Sequence, residues 1–117
     1  MAKYETEVTG TINDISEYIN RYESELGLSA EVVDAATGSI GDVTYMTATY
    51  ERYAYLGGNR SSLSITMLQH GNKVRIIAIS AAGSTGVIIK INHWSEDAFL
   101  QAFVELIERY KKENEAR

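Results

Sequence analysis

Residues 62–67, SLSITM, alternate strictly between small polar and large apolar side chains. Because successive side chains of a β-strand point to opposite faces, this pattern predicts a strand with one buried face and one polar face. A sheet built from such strands has to bury its apolar face against another layer of the chain. The stretch therefore favours a layered domain built around a half-buried sheet.

Two stretches carry apolar side chains at helical spacing, and they are predicted to cover the sheet. The first begins after Thr11, a good N-cap residue, and ends at Gly27. The second is predicted to begin with Ser95 as its N-cap and to close with Lys111 and Lys112, whose charge suits a helix C-terminus. The apolar stripes are Ile12, Ile15, Ile19, Tyr22 and Leu26 in the first helix, and Phe99, Phe103, Leu106, Ile107 and Tyr110 in the second. On the solvated side of the second helix, Glu105 is predicted to pair with Arg109 at a spacing of four residues.

The remaining segments show the alternation and the turn residues of β-strands. The chain has no proline, so glycine, asparagine and aspartate must form its turns. Short connections between successive strands favour an antiparallel meander. The predicted strands are residues 3–9, 28–36, 42–55, 62–67, 74–81 and 87–91, with a glycine-rich turn at 37–41 between the second and the third.

This order, β-α-β(4–5)-α, predicts a single α+β domain over residues 1–117. Its antiparallel β-sheet meander is expected to carry the N-terminal helix and the long C-terminal helix on one face. The arrangement resembles the TBP-like or helix-grip folds. That likeness concerns the fold and implies no function.

Composition removes several classes of chemistry. Eleven basic residues are spread along a chain of net charge −5 and never form a run longer than Lys111-Lys112, so we expect no nucleic-acid binding. The chain has no cysteine, which removes thiol nucleophiles and Cys-ligated metals, and only His70 and His93 can supply an imidazole. We therefore predict no cofactor and no metal. No stretch has the length of a membrane span or a signal peptide, so we expect no membrane partner and a cytoplasmic protein.

Apolar residues are also predicted on the face of the sheet away from the helices. Successive side chains of a strand alternate between the two faces of the sheet. If the apolar residues of 62–67 face the helices, this parity assigns a second apolar set to the opposite, outer face, namely Leu68, Ile77, Ile79, Ile88 and Tyr45. A face meant only for water would be more polar. Two explanations stay open: the strands at 74–80 and 87–91 are assigned in the wrong register, or the outer face packs against a second copy. We expect a homo-oligomer, a dimer in its simplest form, through this face.

Residues 51–60, ERYAYLGGNR, place aromatic side chains and two arginines next to a Gly-Gly turn. The first interpretation is a structural hairpin with cross-strand Arg and Tyr contacts, because tyrosine favours strands and glycine permits the turn. The alternative is a binding tip, since aromatic rings and arginine also suit a planar ligand. The candidate ligand-binding residues of this region are Tyr50, Arg52, Tyr53 and Arg60.

His93 and Trp94 stand just before the last predicted helix. In the simpler interpretation His93 is an exposed loop residue and Trp94 packs on the helix as a hydrophobic staple. In the functional interpretation both residues lie at the mouth of a pocket between helix and sheet, where Phe103 would contact a small apolar ligand. Residues 83–86, GSTG, are interpreted as a plain turn and not as a phosphate loop, because a strand is predicted to follow them.

Four short motifs carry a family resemblance: MAKYE at 1–5, YERY followed by GGNR within 50–60, IKIN at 89–92 after a turn of small residues, and EDAFL at 96–100. In this order they resemble a bacterial family known as domain of unknown function 6054, over most of the chain. The chain departs from the family pattern at 82–84, where Gly-Gly-Ser is expected, and at 87–89, where aromatic residues are expected nearby. Since the family has no assigned activity, the resemblance implies a compact single domain and no catalytic residue.

Three functions follow as hypotheses. The first is a non-enzymatic binding or assembly module that forms a homo-oligomer and holds a small apolar or aromatic molecule between the C-terminal helix and the sheet. The second is binding of a protein partner through the 51–60 hairpin. The third is a small enzyme, which requires His93 or His70 to converge with Tyr and Arg groups in one cleft. The non-enzymatic module leads, and it predicts a cavity lined by Phe99, Phe103, Met46, Met67 and Tyr50.

Overall fold

The computed structural model describes residues 2–26, 30–53, 60–83 and 89–115. Five strands and two helices follow one another in the order β-α-β-β-β-β-α, which confirms the predicted α+β class. The elements are β1 (Ala2–Thr9), α1 (Ile12–Arg21), a 3₁₀ turn (Glu23–Leu26), β2 (Glu31–Ile40), β3 (Val43–Tyr53), β4 (Arg60–His70), β5 (Lys73–Gly83) and α2 (Ile89–Glu115).

The five strands form one antiparallel sheet in the order β1-β5-β4-β3-β2. Strands β2 to β5 follow one another as a meander, and β1 is added beside β5. Helix α1 therefore carries the chain from one edge of the sheet to the other. It contacts β3, β4 and α2, while α2 contacts β1, β4 and β5. Both helices lie on one face, as the apolar stripes predicted.

The inner face of the sheet, defined here as the face toward the helices, forms half of the core. Met46 of β3 is opposite Met67 of β4, and Ile65 of β4 is opposite Ala78 of β5; all four are buried. Each fully buried large apolar side chain stabilises the fold by about 1.5–3 kcal/mol. The helices complete the core with Ile12, Ile15, Tyr18 and Ile19 from α1 and with Phe99, Leu100, Phe103, Leu106, Ile107 and Tyr110 from α2.

Helix α1 begins where its cap predicts. The hydroxyl of Thr11 accepts a hydrogen bond of 3.1 Å from the backbone N–H of Asp14. The regular helix ends at Arg21, earlier than predicted, and the 3₁₀ turn that follows buries Leu26 completely. The predicted apolar stripe still packs on the core, although two kinds of helix carry it.

Strand β2 and its turn lie further along the chain than predicted. The sequence indicated a strand over 28–36 and a glycine-rich turn over 37–41. In the structure β2 continues to Ile40, and Gly41 with Asp42 forms the whole turn, with Gly41 at a φ of 57°. Because one left-handed glycine suffices for a two-residue hairpin turn, residues 37–40 stay paired with β3. The predicted end of this strand was wrong.

Helix α2 begins at Ile89, so the strand predicted for 87–91 is wrong from residue 89 onward. The sheet order explains the error: β5 already lies between β4 and β1, so no edge beside it is free for another strand. The N-cap predicted at Ser95 and the staple predicted for Trp94 are wrong as well, since both residues lie within α2. Among the helices of the described ranges, none combines the length and the apolar character that a membrane crossing needs.

Candidate functional site

Neither helix covers the outer face of the sheet, defined here as the face turned away from both helices. Tyr45 of β3 lies opposite Leu68 of β4 on this face, and Ile77 and Ile79 project from the adjacent strand β5. These are residues that parity assigned to this face, so the predicted register of β5 is confirmed. Ile88, the fifth member of the predicted set, lies outside the described residues.

The four residues Tyr45, Leu68, Ile77 and Ile79 are called the outer patch below. Leu68 and Ile79 are 38% and 39% exposed, and Tyr45 and Ile77 are half-buried. Single exposed apolar residues are ordinary, but several together on one sheet face indicate a contact surface. The positions around the patch on β3 and β4 carry small hydroxyl side chains, namely Thr47, Thr49, Ser62, Ser64 and Thr66.

Charged side chains line one margin of the outer face, on β1 and β5. The Nη1 of Arg75 lies 3.4 Å from Oε2 of Glu5, and its Nη2 lies 3.9 Å from Oε1 of Glu7. The Nζ of Lys3 lies 3.6 Å from Oε1 of Glu5. All four side chains are well exposed, so each pair contributes at most about 1 kcal/mol to stability. These residues form a mixed-charge rim beside the outer patch.

Among the residues whose side chains are described, 98–115 of α2, the space between the helix and the sheet is filled by side chains. The five residues predicted to line a cavity there all belong to the buried core: Phe99, Phe103, Met67, Met46 and Tyr50. The larger pockets that described residues form lie elsewhere, one beside the end of α2, one beside the start of α1 and one on the outer face. The candidate residue Phe103 is therefore a packing residue of the core.

Arg52 extends from the inner face of β3 to the 3₁₀ turn. Its Nη1 donates a 2.7 Å hydrogen bond to the carbonyl oxygen of Leu26, and its guanidinium carbon lies 4.7 Å from the ring centroid of Phe99. Burial lowers the pKa of Arg52. Burial also raises the pKa of Tyr50, two residues earlier on the same face, with a smaller contribution from the negative charge of Glu23. The contacts of Arg52 connect β3 to the 3₁₀ turn and to α2.

Arg60, another candidate residue, points to the opposite face from Arg52. It begins β4, where it pairs with Tyr53, and its Nε lies 3.4 Å from Oε2 of Glu51 on the neighbouring strand. The hairpin interpretation predicted cross-strand contacts of Arg and Tyr, whereas the ion-pair partner of Arg60 is Glu51. The tip itself, residues 54–59, lies outside the described residues. The structure thus separates Arg52 and Arg60 and does not bring them into one site.

His70 and His93 do not converge on one cleft. His70 is exposed at the end of β4, next to the β4–β5 turn. At this end of the sheet Thr9 of β1 pairs with Lys73 of β5. Near the C-terminal end of α2, Asn114 donates a hydrogen bond to the carbonyl oxygen of Thr9. His93 precedes Asn114 in α2 by 21 residues, which corresponds to about 30 Å along a helix. The two histidines therefore lie at opposite ends of the sheet.

A cation-aromatic cluster between the helices was not predicted. The sequence suggested that Arg109 pairs with Glu105 along α2. In the structure the Nη2 of Arg109 lies 3.1 Å from Oε1 of Glu25, and its guanidinium carbon lies 4.6 Å from the ring centroid of Tyr22. Tyr18 completes the cluster, with its ring 4.8 Å from that of Tyr22. The signal for this cluster was the presence of two tyrosines on the predicted helical segment at 12–26.

A second unpredicted contact joins β1 to α2. The hydroxyl of Tyr4 donates a 2.6 Å hydrogen bond to Oε2 of Glu108, and the Nζ of Lys111 lies 3.2 Å from the same oxygen. The hydrogen bond from Tyr4 lowers the pKa of Glu108, with a further contribution from Lys111. Burial, together with the bond to Glu108, raises the pKa of Tyr4. The group stabilises the edge of the sheet, and its Lys111 also lines the pocket beside the end of α2.

The fold and its surfaces define a small α+β domain with a packed core and a sheet face that neither helix covers. Residues 1–111 match a protein family described as a family of unknown function, DUF6054. The match spans nearly the whole chain, so the protein belongs to this family, as its short motifs indicated. No curated protein matches the chain. Since the family description assigns no activity, function has to be argued from the surfaces of the domain.

Proposed function

We propose that this protein is a non-enzymatic assembly module that forms a two-fold homodimer through the outer face of its sheet. The observation that carries the proposal is the outer patch, which lies on a face that neither helix covers. The inner face already packs against two helices, whereas the outer patch has no such layer within the described residues. Contact with a second copy would remove this apolar surface from water.

The size of the outer face suits a stable dimer. Five strands about 4.8 Å apart, with an average length of about 33 Å, give a face of roughly 800 Å². A standard protein interface buries about 800 Å² on each partner. Two outer faces in full contact therefore reach the size of an ordinary specific interface.

The distribution of charge favours one orientation of the two copies. A two-fold axis parallel to the strands places the two β4 strands over each other and each β1 over a β2. Strand β1 carries Lys3, Glu5 and Glu7, whereas Asp34 is the one charged residue of β2 between residues 32 and 40. An axis perpendicular to the strands would instead stack the two charged β1 strands on each other and remove their exposed ion pairs from water, which costs desolvation energy. The first orientation gives an apolar centre with a polar rim, as protein interfaces commonly have.

A small ligand between α2 and the sheet is the weaker candidate function. Phe99, Phe103 and Met67 are fully buried and fill the space that such a ligand would need. Binding of a protein partner through the 51–60 hairpin stays a prediction, because the tip of that hairpin lies outside the described residues.

Sedimentation equilibrium over a range from low to high micromolar protein tests the proposal. We expect a species of 26 kDa, twice the 13.0 kDa of one chain. Native mass spectrometry of protein purified from its own host serves as the second measurement. A small-molecule adduct that disappears on denaturation would favour the ligand-binding candidate. A monomer at every concentration would reject the dimer.

A further inference from the structure

The two edges of the sheet differ in how they are protected. On β1 every second residue from 3 to 7 is charged. Side chains of α2 also reach this strand: Asn114 donates to the carbonyl oxygen of Thr9, and the Nζ of Lys111 donates to Oγ1 of Thr6 at 3.0 Å. Charged residues and a covering helix are common means of keeping an edge strand from pairing with another chain. The β1 edge is therefore closed to strand addition.

The β2 edge has neither protection. Residues 32–40 are all exposed apart from Gly38, which is half-buried, so neither helix covers this strand. Asp34 is its one charged residue in this range, and Ile40 is 77% exposed. The N–H of Ala35 donates a 2.8 Å hydrogen bond to Oδ1 of Asp34, an exposed contact that a pairing strand would replace. An edge of this kind presents backbone N–H and C=O groups that another strand can use.

A β-bulge limits the part of β2 that can accept a strand. The register with β3 shifts between Val32 and Asp34, so that Val33 is the extra residue. Beyond the bulge the ladder is regular from Asp34 to Ile40, where the turn begins. This segment contains two alanines, a glycine, a threonine and a serine between its ends. Small side chains let a second backbone approach without steric obstruction.

We infer that residues 34–40 of β2 pair with the same residues of a second copy, antiparallel about a two-fold axis at Thr37. This register places Thr37 opposite itself, Ala36 opposite Gly38, and Asp34 opposite Ile40 in the partner copy. The two Asp34 carboxylates then lie roughly 20 Å apart, at opposite ends of the pairing. No like charges face each other, so the segment is complementary to itself.

This edge contact is distinct from the proposed dimer through the outer face, and it does not require that dimer. Seven residue pairs bury much less area than a whole sheet face, so we expect edge pairing at higher protein concentration than the face contact. With the face axis parallel to the strands, the two β2 edges of a dimer lie on opposite sides. Edge pairing then joins dimers into an open-ended linear assembly, and the mass of the assembly grows in steps of one dimer.

Cross-linking at a single introduced cysteine tests the edge directly, because the chain has no cysteine of its own. Residues directly opposite on antiparallel strands have Cβ atoms about 4.5–5.5 Å apart. Thr37→Cys treated with a short thiol cross-linker is therefore expected to give a covalent dimer on a denaturing gel. Thr44→Cys is the matched control, since Thr44 is also an exposed threonine, on the inner strand β3. If Thr37→Cys cross-links no more than Thr44→Cys, the edge pairing is wrong.

A second pair of variants separates the edge from the face. Thr37→Lys sets two like charges opposite each other at the proposed axis, so growth of the mass above 26 kDa is expected to stop. Thr44→Lys is expected to leave that growth unchanged, and circular dichroism checks that both variants fold. Wild-type protein that never exceeds a dimer, and whose dimer resists Thr37→Lys, would overturn the edge pairing while leaving the face dimer intact. A dimer that Thr37→Lys alone dissociates would support the edge and reject the face.

Discussion

The Nε of Arg109 donates a 2.8 Å hydrogen bond to the hydroxyl oxygen of Tyr18, which joins α2 to α1. The same guanidinium lies beside the ring of Tyr22 and forms the ion pair with Glu25. The hydrogen bond to Tyr18 is the main cause that raises the pKa of Arg109. Burial raises the pKa of Tyr18, against the opposing effect of the nearby cation. One arginine thus connects both helices and the 3₁₀ turn between α1 and β2.

Replacing Tyr18 with phenylalanine removes this hydrogen bond and keeps the ring. We expect Tyr18→Phe to lower the thermal midpoint by roughly 5 °C, because the Nε of Arg109 loses its acceptor at a partly buried site. Tyr22→Phe is the control, since the described part of the chain shows no hydrogen bond of the Tyr22 hydroxyl, and its midpoint should stay at the wild-type value. Differential scanning calorimetry measures both. Equal midpoints for the two variants would show that the hydrogen bond adds nothing to stability.

The bond between Tyr4 and Glu108 predicts a dependence of stability on pH. The pKa of Tyr4 is raised in the folded state, so its contribution is complete below about pH 10, the value for a free tyrosine, and is lost as the pH rises further. The pKa of Glu108 is lowered, so its contribution is complete above the ordinary value of 4.5 and is lost as the pH falls through the folded value. Both contributions are present together between these limits.

Tyr4→Phe is therefore expected to be less stable than wild type near neutral pH, and the difference should shrink toward acid and toward strong base. Urea unfolding at a series of pH values measures it. Tyr22→Phe is again a suitable control, and its curve should run parallel to that of wild type. A difference between Tyr4→Phe and wild type that stays constant from pH 3 to pH 11 would contradict the assigned shifts.

Local patterns in the sequence correctly predicted the features that depend on the residue periodicity of a single strand or helix. The alternation of residues 62–67 and the parity of Leu68, Ile77 and Ile79 placed the inner and outer faces correctly. The cap at Thr11 marked the start of α1. Each of these depends on contacts within one strand, one helix or one hairpin.

The errors arise from contacts between distant parts of the chain. Nothing in the periodicity of β1 indicates that it pairs with β5, and that pairing removes the free edge that a strand at 87–91 would need. Side-chain pairs between distant segments were missed for the same reason. Arg109 was predicted to pair with Glu105 on its own helix, but it forms an ion pair with Glu25. The candidate residues Arg52 and Arg60 are eight positions apart in one hairpin, yet strand parity sends them to opposite faces.

Ser80 offers a test of the buried inner face. Its hydroxyl is fully buried and finds no hydrogen-bond partner among the residues that the structure describes. A buried polar group without a partner costs about 1–3 kcal/mol, so we expect Ser80→Ala to leave the free energy of unfolding unchanged or to raise it by about 1 kcal/mol. Ala78→Ser, two residues earlier on the same face and equally buried, adds such a hydroxyl and should lower it. Chemical denaturation measures both, and a clear loss of stability in Ser80→Ala would mean that the hydroxyl has a partner in solution.

Ile79→Glu tests the outer patch at its most exposed member. In a two-fold dimer the substitution puts a charge at the centre of the interface on both copies, and burying such charges without partners is expensive. We expect the dissociation constant to rise at least ~100-fold, with the mass falling toward 13.0 kDa in sedimentation equilibrium. Val33→Glu is the control: it adds the same charge at an apolar residue that is 55% exposed at the β2 bulge, away from the outer patch, and it should remain dimeric. If Ile79→Glu and Val33→Glu associate equally well, the outer patch is not the dimer interface, because a buried position tolerates such a charge far less than an exposed one.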